Sequence, residues 1–399
     1  MLLPLLFISL SLLPSPSLSS SPASQHAVVI PYTSLLSAFA SPDSSTFSKI
    51  SAAYGPSGLG ILAVSGVPDL DLLRHRLLPL AREIALLPES DRKGMERPEA
   101  FFQVGWSHGN EKLQGDVPDF AKGSFYANPL VDVPLPSDSY SVSKYPSFLS
   151  PNAWPDESLP SLEGSFKALG RLAVEVGVLV AKQCDDYVET VVEGYEKGKL
   201  RRLLETSTAA KGRLLHYYPV DVDVVDSLPS TSSDDDGAFG DWCGWHQDHG
   251  SLTALVPALH FAADGSPVPN PDPSSGLYVQ SRSGDLIKVS FPPGLTDVLL
   301  FQIGETSQVH TGGALSATPH AVRSARGAEA VGVSRETFAV FMEPEYDGDM
   351  KVPLGRSAKD VQDGDAVRFL PDGVRTLESR WKEGMDFGEF SEETFRAFY

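Results

Sequence analysis

Two stretches of the sequence carry apolar residues at three- and four-residue spacing, the pattern of a helix with one buried face. The first follows a short apolar strand, Leu59–Val64, and its apolar positions are Leu70, Leu73, Leu77, Leu80 and Ile84. The second runs from about Leu159 to Tyr187, with apolar positions Leu162, Phe166, Leu169, Ala173, Val176 and Val180. Core packing explains both faces, so we expect residues 28–205 to form an N-terminal helical region.

After Arg213 the pattern changes to short apolar runs separated by turn residues. The runs include "RLLHYYP", "GWHQDHGSLTALV", "GLYVQSRSGDLIKVSF", "DVLLFQIG", "HAVRS" and "RETFAVFMEP". Many short strands at such intervals are typical of an antiparallel sandwich or barrel. We therefore predict a mainly β core over residues 206–345, with "SLPSTSSDDDGAFGD" and "DGSPVPNPDPSSG" as polar insertions on its rim. Residues 346–399 are expected to form a C-terminal helical extension that ends in "FSEETFRAFY".

The first residues, "MLLPLLFISLSLLPSPSLSSSPASQ", are apolar and then rich in Ser and Pro. The apolar run is too short to span a bilayer, and we predict no membrane span. A signal peptide and a transit peptide both remain open, although no Lys or Arg precedes Lys49 and both kinds of segment typically carry basic residues. We treat residues 1–27 as a leader, either a targeting segment or disordered. We expect a cytoplasmic protein, with the leader keeping secretory or plastid targeting open.

Charge and cysteine content exclude several classes of protein. The 399-residue chain has a formal net charge of −20, with 52 acidic and 32 basic residues. A surface of that sign repels phosphate backbones, so nucleic acid is not the expected partner. Only Cys184 and Cys243 are present, which excludes a disulfide framework and a multi-cysteine zinc site. A small molecule is the expected partner, and the oligomeric state stays open.

One short segment, "WCGWHQDHGSL" at residues 242–252, concentrates ionisable side chains between aromatic ones. In a strand, His246 and Asp248 point to the same side. The segment "GGALSATPHAV" offers His320 as a third ligand from a distant strand. Two imidazoles and one carboxylate with open positions are the ligands of non-haem Fe(II) oxygenases. Zinc with the same ligands is the alternative.

A 2-oxoacid cosubstrate on such an iron would need a cation for its far carboxylate. Arg335 stands at the start of an apolar strand, where burial is costly unless the guanidinium meets an anion. Thr337 lies two residues on and is expected on the same face. Tyr218 has a phenol able to donate to the same carboxylate, and His216 is expected on its face.

Further residues are candidates for lining the pocket near the metal. Besides His216, they are Trp245, His249 and His108. His249 is not expected to be a ligand, because it faces away from the side of Asp248. Trp245 and Trp242 are expected to form walls that keep the metal environment dry.

These pieces together resemble the plant-type 2-oxoglutarate/Fe(II)-dependent dioxygenases, the isopenicillin-N-synthase-like group. In order along the chain, the matching segments are "GLGILAVSGVP", "LLHYYP", "WHQDHGSLTAL", "GLYVQ", "QIGETSQVHTGGALSATPHAV" and "SRETF". The resemblance implies a double-stranded β-helix, or jelly roll, flanked by helices. It implies Fe(II) held by His246, Asp248 and His320, and 2-oxoglutarate held by Arg335, Thr337 and Tyr218.

The sequence also departs from the family. His216 stands where the family usually has asparagine, and the intervals from Asp248 to His320 and from His320 to Arg335 are longer than usual. The segments "WSHGNEKL" and "KGSFYANP" resemble an uncharacterised branch rather than the hormone, flavonoid or alkaloid oxidases. The family therefore suggests no particular substrate.

Three functions follow from this pattern. The first is an O2- and 2-oxoglutarate-dependent Fe(II) oxygenase that hydroxylates or desaturates a small organic molecule and releases succinate and CO2. The second is a jelly-roll protein that binds a small molecule without turning it over, as the change at His216 suggests. The third is an oxidase of the same fold that uses no 2-oxoacid, in which Arg335 binds a carboxylate of the substrate.

Overall fold

A computed structural model describes most of the chain, and every structural statement below concerns this part. The described residues are 23–41, 43–112, 118–135, 140–219, 242–292, 294–295, 297–362, 369–371 and 373–398. The leader up to residue 22 and the rim insertion at 227–241 lie outside it.

Fourteen strands of the described residues form two sheets. They are β1 (Ala23–His26), β2 (Val28–Pro31), β3 (Ile61–Ser65), β4 (Gly105–His108), β5 (Lys122–Ala127), β6 (Lys211–Tyr217), β7 (Cys243–His246), β8 (Leu252–Phe261), β9 (Pro267–Val268), β10 (Gly276–Gln280), β11 (Leu286–Ser290), β12 (Val298–Ile303), β13 (His320–Arg323) and β14 (Ser334–Met342). The smaller sheet has the order β1-β11-β10-β13-β7. The larger has the order β2-β3-β12-β8-β14-β6-β5-β4, and β9 pairs with β8.

Thirteen α-helices flank these sheets in the described residues. They are α1 (Tyr32–Ala40), α2 (Ser44–Tyr54), α3 (Leu70–Leu77), α4 (Pro79–Ala85), α5 (Glu89–Gly94), α6 (Tyr140–Lys144), α7 (Pro146–Leu149), α8 (Ser161–Val191), α9 (Lys199–Thr206), α10 (Glu305–His310), α11 (Ala358–Val361), α12 (Leu377–Arg380) and α13 (Phe387–Phe398). None of them is both long enough and apolar enough to cross a bilayer. The chain is thus mostly sheet with flanking helices, as the sequence pattern predicts.

The larger sheet is the middle layer, because its strands bury both faces. On β3, Leu62 and Val64 join the core that includes the apolar stripe of α8. Ile61 and Ala63 alternate with them and pack against Val279 of β10 in the smaller sheet. Side chains alternate along a strand, so one strand serves two cores. The two sheets therefore face each other, and a cavity lies between them.

The second predicted helix is confirmed, since α8 covers Ser161–Val191. The first is divided in two. It stops at Leu77, and α4 begins at Pro79, which has no N–H to continue the hydrogen bonding of α3. The helical stripe of α8 approaches the sheet closely at Gly177, where a Cβ would overlap Met342 Sδ.

Two boundaries drawn from the sequence differ from the structure. Residues 23–26, placed within the leader, form β1 and pair in parallel with β11. Ala27 is buried, so the folded part begins before residue 28. The region 28–205 is helical only in part, because β2, β3, β4 and β5 join the larger sheet. Apolar strands buried on both faces lack the two-residue alternation that would reveal them.

Candidate active site

His246, Asp248 and His320 meet at one edge of the smaller sheet. His246 is the last residue of β7, His320 is the first of β13, and the two are paired across these antiparallel strands. Asp248 follows β7 by two residues and lies in the loop rather than in the strand. One potential ligand atom from each of the three lies within 4.8 Å of the others. The structure thus brings together the three residues predicted as metal ligands.

The carboxylate of Asp248 stands between the two imidazoles. Its Oδ1 is 3.7 Å from His246 Nε2 and 3.8 Å from His320 Nε2. Ligand atoms at this separation suit one ion bonded to each of them at roughly 2.1 Å. Among the described residues this is the one group of three or more His, Cys, Asp or Glu with such spacing. Two imidazoles and one carboxylate are a donor set that Fe(II) and zinc both accept.

The other ring nitrogen of each histidine is held by the protein. His246 Nδ1 is 2.8 Å from the carbonyl oxygen of Gly244, to which it donates when Nε2 binds a metal. His320 Nδ1 is 3.2 Å from the carbonyl oxygen of Thr318 and 2.6 Å from the side-chain amide of Gln302. A metal on Nε2 leaves the proton on Nδ1, and the Gln302 amide accepts it when its oxygen is the atom that faces the ring.

The electrostatics of the site favour a positive charge. Burial alone would raise the pKa of Asp248, but His320 and His246 outweigh it and lower that pKa. Burial would lower the pKa of His246, yet Cys243 and Asp248 raise it to about 9. Burial and the neighbouring His246 lower the pKa of His320 to about 4. These groups therefore stabilise one positive charge between them. A bound metal ion would supply that charge in place of a proton.

The three residues line a cavity of about 590 Å³ between the two sheets, the interior cavity. Its walls include apolar residues of both sheets, such as Leu215, Leu255, Leu277 and Val289. Arg335 and Thr337 line the same cavity from β14, as their two-residue spacing predicts. Metal ligands and a cation thus share one mostly apolar space, in which charges interact more strongly than in water.

Arg335 lies among polar groups on the strands to either side of it. It is paired with Tyr217 of β6 and with His260 of β8. Its guanidinium carbon lies 4.8 Å from the centre of the Tyr217 ring. Arg335 Nη1 and His260 Nε2 are buried and have no hydrogen-bond partner among the described residues. Buried donors without an acceptor are costly, which indicates that an anion belongs here.

Tyr218 does not face this cavity, which corrects the sequence-based expectation for its role. His216, two residues earlier, is 2.9 Å from Glu336 through Nδ1 and Oε2, respectively, and Glu336 points to the opposite side from Arg335. The Tyr218 ring packs against His216 and His108 on that side. Tyr217 occupies the position expected for Tyr218. His216 and His108 do not line either cavity, contrary to their predicted place in the pocket.

Neither tryptophan lines either cavity, so neither occupies its predicted position as a wall beside the metal site. The ring of Trp242 lies 5.6 Å from the Arg335 guanidinium carbon and 5.4 Å from the Tyr217 ring. Trp245 packs instead with Tyr278 and Ala321, and it lines neither cavity.

A smaller cavity, the second cavity, has a volume of about 90 Å³ and touches the metal site from another side. It is lined by Gln103, Glu111, Tyr126, Lys211, Arg213, His246, Gln247, Asp248, His249, Phe341, Glu343, Thr394 and Phe395. His249 lines it, in agreement with its predicted place near the pocket. Its ring is stacked on Phe387 of α13, and its Nε2 is 3.6 Å from Glu343 Oε1. Burial lowers the pKa of His249 to about 3, so this imidazole is neutral at pH 7.

Several residues of these cavities did not emerge from the sequence. They are Tyr217, His260, Lys211 and Glu343, and Gln302, which lies behind His320, is a fifth residue that did not emerge. Lys211 and Glu343 stand at strand ends, where charged residues are usually solvated, and so no pattern marks them. A signal existed only for Tyr217, which shares the two-residue spacing of Arg213 and Leu215, both of which line the interior cavity.

The sequence matches no protein-family model and no curated protein. Solved structures resemble the fold. A 2OG-Fe(II) oxygenase family protein from Caulobacter crescentus matches with a TM-score of 0.60 and 17% identity, over 94% of this chain and 99% of that chain. A full-length Neurospora crassa protein, solved with alpha-KG and thymine, matches with a TM-score of 0.61 and 18% identity, over 92% of this chain and 96% of that chain. JOX2, solved with 2OG, Fe and JA, matches with a TM-score of 0.53 and 16% identity, over 88% of this chain and 86% of that chain. At such identities the likeness establishes a shared fold.

Proposed function

We propose that this protein is an Fe(II)- and 2-oxoglutarate-dependent oxygenase that hydroxylates or desaturates a small organic molecule. One observation carries the proposal. The candidate metal ligands His246, Asp248 and His320 share a cavity with Arg335, whose buried Nη1 lacks a partner among the described residues. The same space thus offers ligands for a metal and a donor for an anion, and 2-oxoglutarate, which has a carboxylate at each end, suits both.

The residues of the interior cavity divide the work of binding. His246, Asp248 and His320 would hold the iron, and Arg335 would bind the far carboxylate of 2-oxoglutarate through its planar, permanently charged fork. Tyr217 and His260 flank Arg335 on the neighbouring strands and would donate hydrogen bonds to the same carboxylate. Thr337 Oγ1 donates to the carbonyl oxygen of Val256 at 2.7 Å, so its methyl group contributes to the wall.

The donor set fits Fe(II), since neutral imidazoles and one carboxylate hold it without filling its coordination sphere. When bound, Fe(II) supplies the chemistry by which O2 oxidises 2-oxoglutarate to succinate and CO2 and oxidises the substrate. The apolar walls of the cavity keep bulk water from the reacting groups.

The comparisons support this assignment through the fold. The Neurospora crassa protein and JOX2 are solved with the cosubstrate, and JOX2 also with iron. We infer that the two facing sheets form the double-stranded β-helix that the sequence resemblance implies. The reaction type, hydroxylation or desaturation, depends on the substrate.

Succinate release by the purified protein tests the proposal. We expect release that requires added Fe(II), 2-oxoglutarate and O2, and that falls below detection in His320→Ala and Asp248→Ala. His108→Ala is the matched control, because His108 lines neither cavity, and it should retain the parent rate. Succinate release that persists in both ligand variants would overturn the proposal.

The two alternatives predict other results. A binding protein would take up a small molecule and release no succinate under any condition. The binding-protein alternative is suggested by His216, which stands where the family usually has asparagine. His216 contacts Glu336 outside the cavity, so this change does not alter the residues expected to bind the cosubstrate. An oxidase without 2-oxoacid would consume O2 with substrate alone, and calorimetry would show no binding of 2-oxoglutarate that depends on Arg335.

A further inference from the structure

The second cavity lies on the other side of the metal site from Arg335. Along the paired strands β6 and β14, Arg335 is opposite Tyr217, and Phe341 is opposite Lys211. Six residues along a strand span roughly 20 Å. His246, Asp248, Arg213 and Phe341 line both cavities, which therefore adjoin at the metal site. A molecule in the second cavity can approach the metal ligands while 2-oxoglutarate occupies the interior cavity.

Of the charged residues that line the second cavity, some form ion pairs with each other and some do not. Glu111 is 2.8 Å from Arg213 Nη2 and 3.0 Å from Lys122 Nζ, so this acid is fully paired. Lys211 and Glu343 influence each other electrostatically, with no direct ion pair between them among the described residues. In the described residues, no carboxylate lies within 4.0 Å of Lys211 Nζ, which donates to the carbonyl oxygen of Ser147.

The side chain of Glu343 lies beside Gly250, and one of its carboxylate oxygens has no hydrogen-bond partner among the described residues. Only 3% of this residue is exposed, and that oxygen is Oε2. A Cβ at position 250 would come within 3.2 Å of Glu343 Cγ, so Gly250 provides the space for this side chain. A buried carboxylate with a free oxygen is costly unless a donor reaches it.

Further atoms without a partner in the described part of the chain point to the same place. Gln247 is 7% exposed, and its Oε1 lacks a partner, as does His249 Nε2, the atom that stands near Glu343. Both residues line the second cavity, together with the aromatic side chains of Tyr126, Phe341 and Phe395. The cavity therefore combines unpaired polar atoms with aromatic surfaces on which a flat molecule can pack.

We propose that the second cavity binds the substrate and selects a small planar molecule that carries an N–H beside a C=O, as in an amide or imide. The carbonyl oxygen accepts a hydrogen bond from Lys211, and the N–H donates to Glu343. Because Lys211 and Glu343 are both more than nine-tenths buried, a ligand with one group of each kind satisfies both at once. The proposal rests on the proposed function, since it takes the metal site as the reacting centre.

Pairs of probes that differ only in the N–H test this selectivity. The probes are uracil, succinimide and 2-pyrrolidinone, each compared with its fully N-methylated derivative. We expect at least one parent compound to increase Fe(II)-dependent succinate release several-fold over the rate without added substrate, and its methylated form to have no effect. If no parent compound does so, or if the methylated forms act equally well, the proposed selectivity is wrong.

Calorimetry supplies a readout that is independent of turnover. We expect Glu343→Leu and Lys211→Met each to weaken binding of the active probe about fivefold or more, the effect of losing one hydrogen bond. Glu343→Gln keeps an acceptor of the same shape and should weaken it less. His108→Ala is the matched control, because His108 lines neither cavity, and should leave probe binding unchanged. Equal affinity of all four variants would contradict the proposal.

The two proposals fail in different ways. If succinate release without added substrate requires iron and Arg335 while no probe acts through Glu343, the oxygenase proposal stands and the substrate assignment falls. If that release is absent from the start while the probes bind through Lys211 and Glu343, the selectivity of the cavity stands and the oxygenase proposal falls.

Discussion

The guanidinium carbon of Arg335 lies 4.8 Å from the centre of the Tyr217 ring because the two residues are paired across β6 and β14. This pairing decides which of two adjacent tyrosines belongs to the interior cavity. Tyr217 faces it with Arg335, and Tyr218 lies with His216 on the opposite face of the sheet, against the helix-covered core. Of the two phenols, that of Tyr217 is therefore the one we expect beside an anion bound by Arg335.

The two tyrosines provide a matched pair of variants. We expect Tyr217→Phe to weaken 2-oxoglutarate binding about tenfold, since one hydrogen bond to a charged group is lost. Tyr218→Phe should leave binding unchanged, although it removes the same atom one residue away. Calorimetry with the metal-loaded protein under argon measures both. The reverse order of effects would mean that Tyr218 turns into the cavity when the cosubstrate binds.

Binding of 2-oxoglutarate should depend on both the charge of Arg335 and the bidentate geometry of its guanidinium group. We expect Arg335→Met to raise the apparent KM for 2-oxoglutarate at least about a hundredfold, because an unpaired carboxylate in an apolar cavity is costly. Arg335→Lys keeps the charge but cannot form two parallel hydrogen bonds, and an intermediate increase is expected. Steady-state succinate release gives both values. If Arg335→Met retained the parent KM, the carboxylate would bind elsewhere.

Gln302 should act on the metal through His320. Its side-chain amide is 2.6 Å from Nδ1, and loss of such a contact behind a metal ligand typically lowers metal affinity 10- to 100-fold. We expect this loss in Gln302→Leu. Gln302→Glu should preserve affinity, because a carboxylate also accepts the Nδ1 proton. Equilibrium dialysis with Co(II) as the probe separates the variants. Similar weakening by both substitutions would show that Gln302 only fills space.

Glu111 should make stability depend on pH. Burial alone would raise its pKa, but Arg213 and Lys122 outweigh burial and hold it well below the ordinary value. The pKa is thus lower in the folded than in the unfolded chain, where it is about 4.3. The stabilisation is complete above that pH and is lost as the pH falls below it.

Urea unfolding of the parent and Glu111→Gln at several pH values measures this contribution. At pH 7 the variant should be less stable by about 3 kcal/mol, because Arg213 loses its ion pair with Glu111 and Lys122 retains the one with Asp119. The difference should stay constant down to about pH 5 and shrink below about pH 4, where the unfolded carboxyl becomes protonated. A difference that grows on acidification would contradict the assignment.

The proximity of His246, Asp248 and His320 could be expected from the sequence, because two of these candidate ligands are neighbours in the chain. His246 and Asp248 are two residues apart, and the third ligand, His320, begins a neighbouring strand. The face of β6 could not be predicted in the same way. Apolar or aromatic residues occupy consecutive positions from Leu214 to Tyr218, interrupted only by His216. No alternation of apolar and polar residues therefore shows which of them face the cavity. Register against β14 decides it, and register is a property of the folded sheet.

The polar residues of the second cavity escaped prediction for a different reason. Lys211 and Glu343 are charged, lie far apart along the chain and belong to no motif. Their burial arises from α7 and α13, which cover the ends of β6 and β14, as the contacts of Lys211 with Ser147 and of His249 with Phe387 indicate. Such packing between distant elements leaves no periodic trace in the sequence.

The position of the candidate metal ligands has a practical consequence. An ion held by His246, Asp248 and His320 would act as a cross-link between β7 and β13, which are distant in the chain and adjacent in space. Unfolding would have to release the ion, so excess metal at about a hundred times its Kd would add about 2.7 kcal/mol to the stability. A melting curve recorded against a series of divalent cations would therefore rank their affinities before any substrate is known.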